Sequence, residues 1–179
     1  MAHSPRGVTR PVTTGRRIVA EFLHQARDIP HVAVRREFAI PKLVAVRSET
    51  RPRVSWVALF ARAYAMAARR HAALRRNWIR FPWPRIYEHP VSAAVVLVER
   101  EWEGDDIVLG AKVHEPERMG LADIDRYIRR YQTAPVGSIS SFRQLLRIGR
   151  YPALLRRFVF WTALHWSGYR RCRRFGTFL

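Results

Sequence analysis

Residues 92–113 read SAAVVLVEREWEGDDIVLGAKV, and the fold turns on how this stretch pairs with itself. Val95, Val96, Leu97 and Val98 follow one another without a polar break, so Ser92 to Arg100 predicts a strand, and its unbroken apolar run fits burial on both faces. Ile107 to Val113 predicts a second strand. Gly104-Asp105-Asp106 supplies turn residues between them, and the link from Glu101 to Asp106 is short enough for a hairpin.

Helical signals flank this hairpin. Downstream, Leu121, Ile124, Ile128 and Tyr131 recur at helical spacing, with Asp123 and Asp125 near the positive end of the helix. Upstream, Ser55 is placed to cap a helix whose stripe is Trp56, Val57, Phe60, Ala63, Tyr64 and Ala67, a face predicted to pack into the core. Arg62, Arg69 and Arg70 lie mostly off that stripe, and the alanine run favours helix. From Gly15 onward, Ile18, Val19, Phe22, Leu23 and Ala26 form another apolar stripe, closed by Asp28-Ile29-Pro30. His31 to Phe38 is valine-rich and reads as a strand. Ile40 to Glu49 reads as a short helix with Leu43, Val44 and Val46 inward, and Arg47 and Glu49 outward. Phe81-Pro82-Trp83-Pro84 reads as a rigid extended segment, and Thr133 to Ser141 as a loop. Phe142 to Trp166 is apolar and arginine-rich in turn, with Pro152 opening a new helix.

This order of helices and strands predicts an α/β class (α+β, two-layer), a mixed β-sheet packed by helices. The length of 179 residues suits one domain. Residues 1–14 read as a flexible arm and 15–179 as the domain, within which 133–174 is an arginine- and aromatic-rich helical segment. Hydrophobic residues make up 48% of the chain, enough for a packed core. The single cysteine, Cys172, excludes an internal disulfide. Met1 to Arg17 holds no apolar signal region. The longest apolar stretch, Phe158 to Trp166, is broken by Thr162 and His165 and is far shorter than the ~20 residues of a spanning helix. The expectation is a cytoplasmic protein.

The net charge is +19. Only Lys42 and Lys112 are lysines, so nearly all of the positive charge is arginine. Two readings stand side by side: an anionic partner (nucleic acid, an anionic membrane surface or a phosphorylated ligand), or a compositional preference for arginine. No zinc-finger, RNP or phosphate-loop motif is present.

The residues offer little catalytic chemistry. The histidines are His3, His24, His31, His71, His89, His114 and His165, and no close pair such as HxxxH or CxxC sets up a metal site. His114-Glu115-Pro116-Glu117 reads as solvated loop residues rather than ligands. Glu88 and His89 are neighbours on an extended segment and point to opposite faces, so they do not share a proton. Cys172 lies among Arg170, Arg171, Arg173 and Arg174, whose charges would lower its pKa.

Several segments, taken in order, resemble the catalytic domain of 2-oxo acid dehydrogenase acyltransferases, relatives of chloramphenicol acetyltransferase. Gly15-Arg16-Arg17-Ile18-Val19-Ala20 resembles the family's opening "G-x-R-x-x-I-A". Ile29-Pro30-His31-Val32 is similar to its "I-P-H-F" strand. Ala39 to Arg47 is similar to "D-x-T-x-L-x-x-L-R", and Val54-Ser55-Trp56 with Ala63 to Leu74 to its long helix. Ser92 to Val98 and Val108 to Val113 resemble its two core strands, Leu121-Ala122-Asp123-Ile124 its "G-L-x-x-I" helix, and Gly176-Thr177-Phe178 the start of "G-T-F-x-I-S-N-L-G".

The resemblance implies a chloramphenicol acetyltransferase-like fold lacking its C-terminal part. It implies acyl transfer between coenzyme A, as co-substrate, or another thioester and an acceptor, in a homo-oligomer that the family forms as a trimer. In the family a histidine of an HxxxDG motif is the general base on the thiol, and a serine or threonine of "I-S-N-L-G" stabilises the oxyanion. These 179 residues contain neither, so no catalytic residue is carried over and the isolated chain is expected to be inactive. The start near the family's catalytic domain suggests a stand-alone protein rather than a dehydrogenase-complex subunit. Arg170, Arg171, Arg173 and Arg174 are the candidate sites for coenzyme A or another anion; no metal site is assigned. The segment 133–174 departs from the family in length and aromatic content. Residues 152–174 either rest on an anionic bilayer, apolar face down, or form a helical cover over the sheet; nucleic acid is the less favoured partner.

Overall fold

A computed structural model describes residues 7–27, 29, 30 and 32–178. The strand 93–102 (β3) pairs with 105–114 (β4) in register, Ala93 opposite His114 through to Trp102 opposite Asp105. The reversal is made by Glu103 (φ 55°) and Gly104 (φ 73°). A two-residue hairpin turn needs positive φ at both central positions to match the strand twist, so glycine suits the second. The hairpin expected at 92–113 is therefore present, but it is not buried on both faces: Leu97 is 61% exposed, while β4 turns Ile107, Leu109, Ala111 and Val113 inward.

Seven α-helices are found among the described residues: α1 (Thr14–Ala26), α2 (Pro41–Glu49), α3 (Trp56–Arg70), α4 (Leu121–Thr133), α5 (Ser140–Gly149), α6 (Ala153–His165) and α7 (Gly168–Phe175). Two short strands, β1 (Arg76–Ile79) and β2 (Arg85–Glu88), form a second antiparallel pair. The class is mixed helix and strand, as expected. Among the described residues the one parallel pairing is a bridge between Ala94 and Phe178. There Thr177 N donates to Ala93 O at 2.7 Å and Val95 N donates to Phe178 O at 2.9 Å. Gly176 takes φ 72°, and a Cβ on it would stand 2.6 Å from Ala93 O, so only glycine lets this last segment lie against β3.

The core hangs on the hairpin. Ile18 of α1, Phe142 and Leu146 of α5 and Phe160 of α6 pack with Val98, Ile107 and Leu109. Nearer its open end, Val54, Ala58 and Ala61 pack with Ala94, Val113, Ile124 and Ile128. The junction of α3 and α4 is polar and fixed: Ser55 Oγ accepts from Ala58 N, and Asp125 takes Ser55 N at 3.0 Å and Arg129 Nε at 2.8 Å.

Several expectations are corrected. Ser55 caps α3 as anticipated, but the helix faces the other way. Ala58, Ala61, Ala65 and Ala68 are buried, whereas Val57 and Phe60 are about half exposed; alanines let the helix approach α4 and the hairpin closely, which bulkier side chains would prevent. In α1 the inward set is Thr14, Gly15, Ile18 and Glu21, and Leu23 faces out at 65% exposure. Residues 32–40 form no strand and their side chains are exposed; His31 and Asp28, named in the reading of this region, lie outside the described residues, as do 1–6 of the expected arm. No residue of α2 is buried, and its Arg47 turns inward, donating to Val54 O at 2.7 Å and stacking 4.4 Å over Trp56. Residues 81–84 are not an extended rod but the reversal between β1 and β2, with a cis Phe81–Pro82 bond. Residues 140–149, partly read as loop, are α5.

Candidate functional site

The C-terminal half of α1, strand β1 and helices α6 and α7 enclose a cleft of about 1090 Å³. Each element presents a cation: Arg27 follows α1, Arg80 follows β1, Arg157 stands on α6 and Arg171 on α7, with His24 and His165 between them. Trp78, Phe158 and Trp161 supply flat apolar walls. Among the described residues no carboxylate lines the cleft. One acid, Glu21, is buried at 3% exposure on α1 and bears on the lining residue Arg157. Glu21 lies 3.6 Å from Arg156 Nε and 3.9 Å from Arg157 Nε and accepts from Gln25 Nε2 at 3.1 Å.

Arg171 is held in place by donating from Nη1 to Trp78 O at 3.1 Å, and burial pulls its pKa down. An arginine with such a partner still carries its charge and presents its remaining donors to the cleft. Of the four arginines singled out from the sequence, only Arg171 enters the cleft. Arg170, Arg173 and Arg174 are exposed on the outer side of α7. The Arg173 carbonyl accepts from Lys112 Nζ. Helical spacing explains the split: Gly168 and Cys172 face inward, so Arg171 is carried to the cleft side and the other three away from the core.

Cys172 is not a reactive thiol. It is fully buried, its sulfur accepts from Asn77 Nδ2 at 3.3 Å, and burial pushes its pKa up more than Arg171 pulls it down. The four neighbouring arginines do not activate it as their adjacency suggested. Glu88 and His89 are separate, as expected: Glu88 pairs with Arg76 at 3.0 Å, and His89 Nδ1 meets Tyr87 Oη at 3.2 Å. Glu115 pairs with Arg118 at 2.8 Å. Among the described residues no group of three or more His, Cys, Asp or Glu could hold a metal, and no helix is long and apolar enough to cross a membrane.

A second polar cluster went unread in the sequence. His89 is buried, and its imidazole is held below the ordinary value of ~6.5 by burial first, then by His114, Arg75 and Lys112. Burial and Lys112 push His114 in the same direction. Groups with a depressed folded-state pKa are protonated first in the unfolded chain. Stability is therefore full above ~6.5 and is lost as the pH falls through the folded-state values. We expect the thermal midpoint to drop on mild acidification, and His89→Gln to flatten that drop. An equal drop in wild type and variant would show that His89 is not its source.

A family model described as "2-oxoacid dehydrogenases acyltransferase (catalytic domain)" matches residues 5–134. No curated protein and no solved structure matches the chain. The matched span includes α1, β1 and the hairpin, so His24, Arg27, Trp78 and Arg80 lie within it, while the cleft residues of α6 and α7 lie beyond it.

Proposed function

Because the chain belongs to the 2-oxoacid dehydrogenase acyltransferase catalytic-domain family, we propose that it is an acyltransferase-type protein whose cleft binds coenzyme A or its acyl thioester. The carrying observation is the cleft itself: four arginines around aromatic walls, with no carboxylate among the described lining residues, in a family that works on coenzyme A thioesters. Coenzyme A offers phosphates at one end and an adenine ring beside them. Guanidinium groups grip phosphate with paired, charge-assisted hydrogen bonds. An indole face such as that of Trp78 or Trp161 suits a flat base.

Binding does not bring chemistry with it. These 179 residues contain no HxxxDG, and the hydroxyl next to His89 is the phenol of Tyr87, whose own pKa is raised, chiefly by burial. On this reading the isolated chain holds the thioester without transferring its acyl group. The test is tryptophan fluorescence or calorimetric titration with coenzyme A and acetyl-coenzyme A. Arg171→Gln and Arg80→Gln should each weaken binding about tenfold, ~1.4 kcal/mol, with circular dichroism unchanged. No saturable binding, or binding indifferent to both variants, would overturn the ligand assignment; turnover of acetyl-coenzyme A with a dithiol acceptor would overturn the inactivity.

The same family reading proposes a homotrimer. The outward face of α3 supports it: Val57, Phe60 and Tyr64 stand 48%, 58% and 39% exposed, and no arginine separates them along that stripe. A like-charged copy can approach there without setting arginine against arginine. Phe60→Glu should convert a sedimenting trimer to monomer; a monomeric wild type would remove the proposal.

A further inference from the structure

We infer that the banks of the cleft form a docking surface for an anionic lipid bilayer. The inference stands beside the thioester reading and does not depend on it. Trp78 and Ile86 are cross-strand partners in the β1–β2 pair, so their side chains share one face. They are 59% and 65% exposed. On the opposite bank, Leu154 and Phe158 are one turn apart on α6, exposed by 82% and 61%. Large apolar groups thus stand in solvent on both sides of an arginine-lined trough.

The cations are interleaved with them. Arg80 lies two residues past Trp78 on the same strand end, and Arg157 directly precedes Phe158. Among the described residues the acids that bear on this face are paired: Glu88 with Arg76 at 3.0 Å, and the buried Glu21 with Arg156 at 3.6 Å and Arg157 at 3.9 Å. A bilayer interface accepts both kinds of group at once. Indole and aliphatic side chains settle at the boundary between headgroup and acyl chain, and arginine keeps its stem there with its charge among the phosphates.

Charge selects among the occupants that could cover such a face. A second copy would bring the same arginines and a net charge of +19 against them. A nucleic acid would meet the arginines but would leave Leu154 and Ile86, which offer neither charge nor a stacking plane, against its polar backbone. An anionic bilayer matches the cations and buries the aliphatic groups.

The experiment is flotation of the full chain with phosphatidylcholine vesicles, with and without phosphatidylserine, at low and moderate salt. The chain should float only with phosphatidylserine, and salt should weaken it. Arginine near an anionic surface strengthens binding about five-fold per residue, so Arg157→Gln should weaken flotation by about that factor. Ile86→Glu and Leu154→Glu should each abolish flotation, with the thermal midpoint unchanged because both sites are solvent-exposed. Ile86 does not line the cleft, so Ile86→Glu should keep its affinity for coenzyme A while losing vesicles; that separates the two readings. Wild-type protein that fails to float, or variants that float like wild type, would overturn the inference. So would an oligonucleotide shift, or self-association in sedimentation, that the same two variants abolish, since each would assign the face to another occupant.

Discussion

Glu21→Ala is expected to destabilise the chain by about 3–5 kcal/mol, a fall of roughly 10 °C in the thermal midpoint for a domain of this size. Glu21 is 3% exposed and stands on the inward face of α1. Its partner Arg156 is itself nearly enclosed, with 12% of its side chain exposed. Arg156 donates from Nη1 to Tyr151 O at 3.0 Å, and its buried Nε has no hydrogen-bond partner among the described residues, only the carboxylate of Glu21 at 3.6 Å. Removing the carboxylate leaves a guanidinium in a low-dielectric seam between α1 and α6 with no counter-charge. The penalty comes from the stranded arginine more than from the lost attraction, and a second variant separates the two. Glu21→Leu combined with Arg156→Leu removes both charges and fills the seam, and should recover most of the lost stability. Chemical denaturation of the three proteins decides the matter. A single variant within a fraction of a kcal/mol of wild type would mean that the seam is wet and the pair is not structural. Because α1 and α6 both line the cleft and this pair joins them, Glu21→Ala should also weaken ligand binding, although Glu21 touches no ligand.

What the sequence revealed, and what it hid, divides along a physical line. The β3–β4 hairpin was legible because a continuous apolar run, a glycine turn and a short link all act within twenty-odd residues. The Ser55 cap of α3 and the start of α4 at Leu121 were legible for the same local reason. The inward face of α3 was not. Its period announces a helix, but both faces carry apolar residues, and the choice between the Ala58–Ala61–Ala65 face and the Val57–Phe60–Tyr64 face is made by how closely α4 and the hairpin approach. That spacing is a tertiary property. Strands β1 and β2 escaped because four residues such as Arg76-Asn77-Trp78-Ile79 are too few to show a period, and because the prolines after Phe81 suggested rigidity where the chain in fact reverses. The cleft escaped most completely. Arg27, Arg80, Arg157 and Arg171 span most of the chain, and in a protein so rich in arginine no pattern marks these four from the rest. Local adjacency pointed instead to the run after Tyr169, where helical geometry sends only one arginine of four to the cleft.

Phe142→Ala should cost about 3–5 kcal/mol, and where it acts is as informative as its size. Phe142 is the largest of the fully buried side chains, 1% exposed, and meets the ring of Tyr131 edge-on with centroids 5.3 Å apart. It belongs to α5, beyond residue 134 where the family match ends, yet it packs in one cluster with Ile18, Val98, Ile107 and Leu109 from within the match. The matched region therefore completes its core with residues outside it. Truncation to alanine removes a ring from the point where α1, α4, α5 and the hairpin converge, and close-packed surroundings collapse only in part around such a void. If α5 to α7 were instead an appendage laid on a self-sufficient domain, Phe142→Ala would loosen only those helices. Hydrogen exchange tells the cases apart. A single core predicts that β4 amides, at Leu109 and Ala111, lose protection together with those of α5. Unchanged protection in β4 would show two independently stable units, and the walls of the cleft would then belong to different ones.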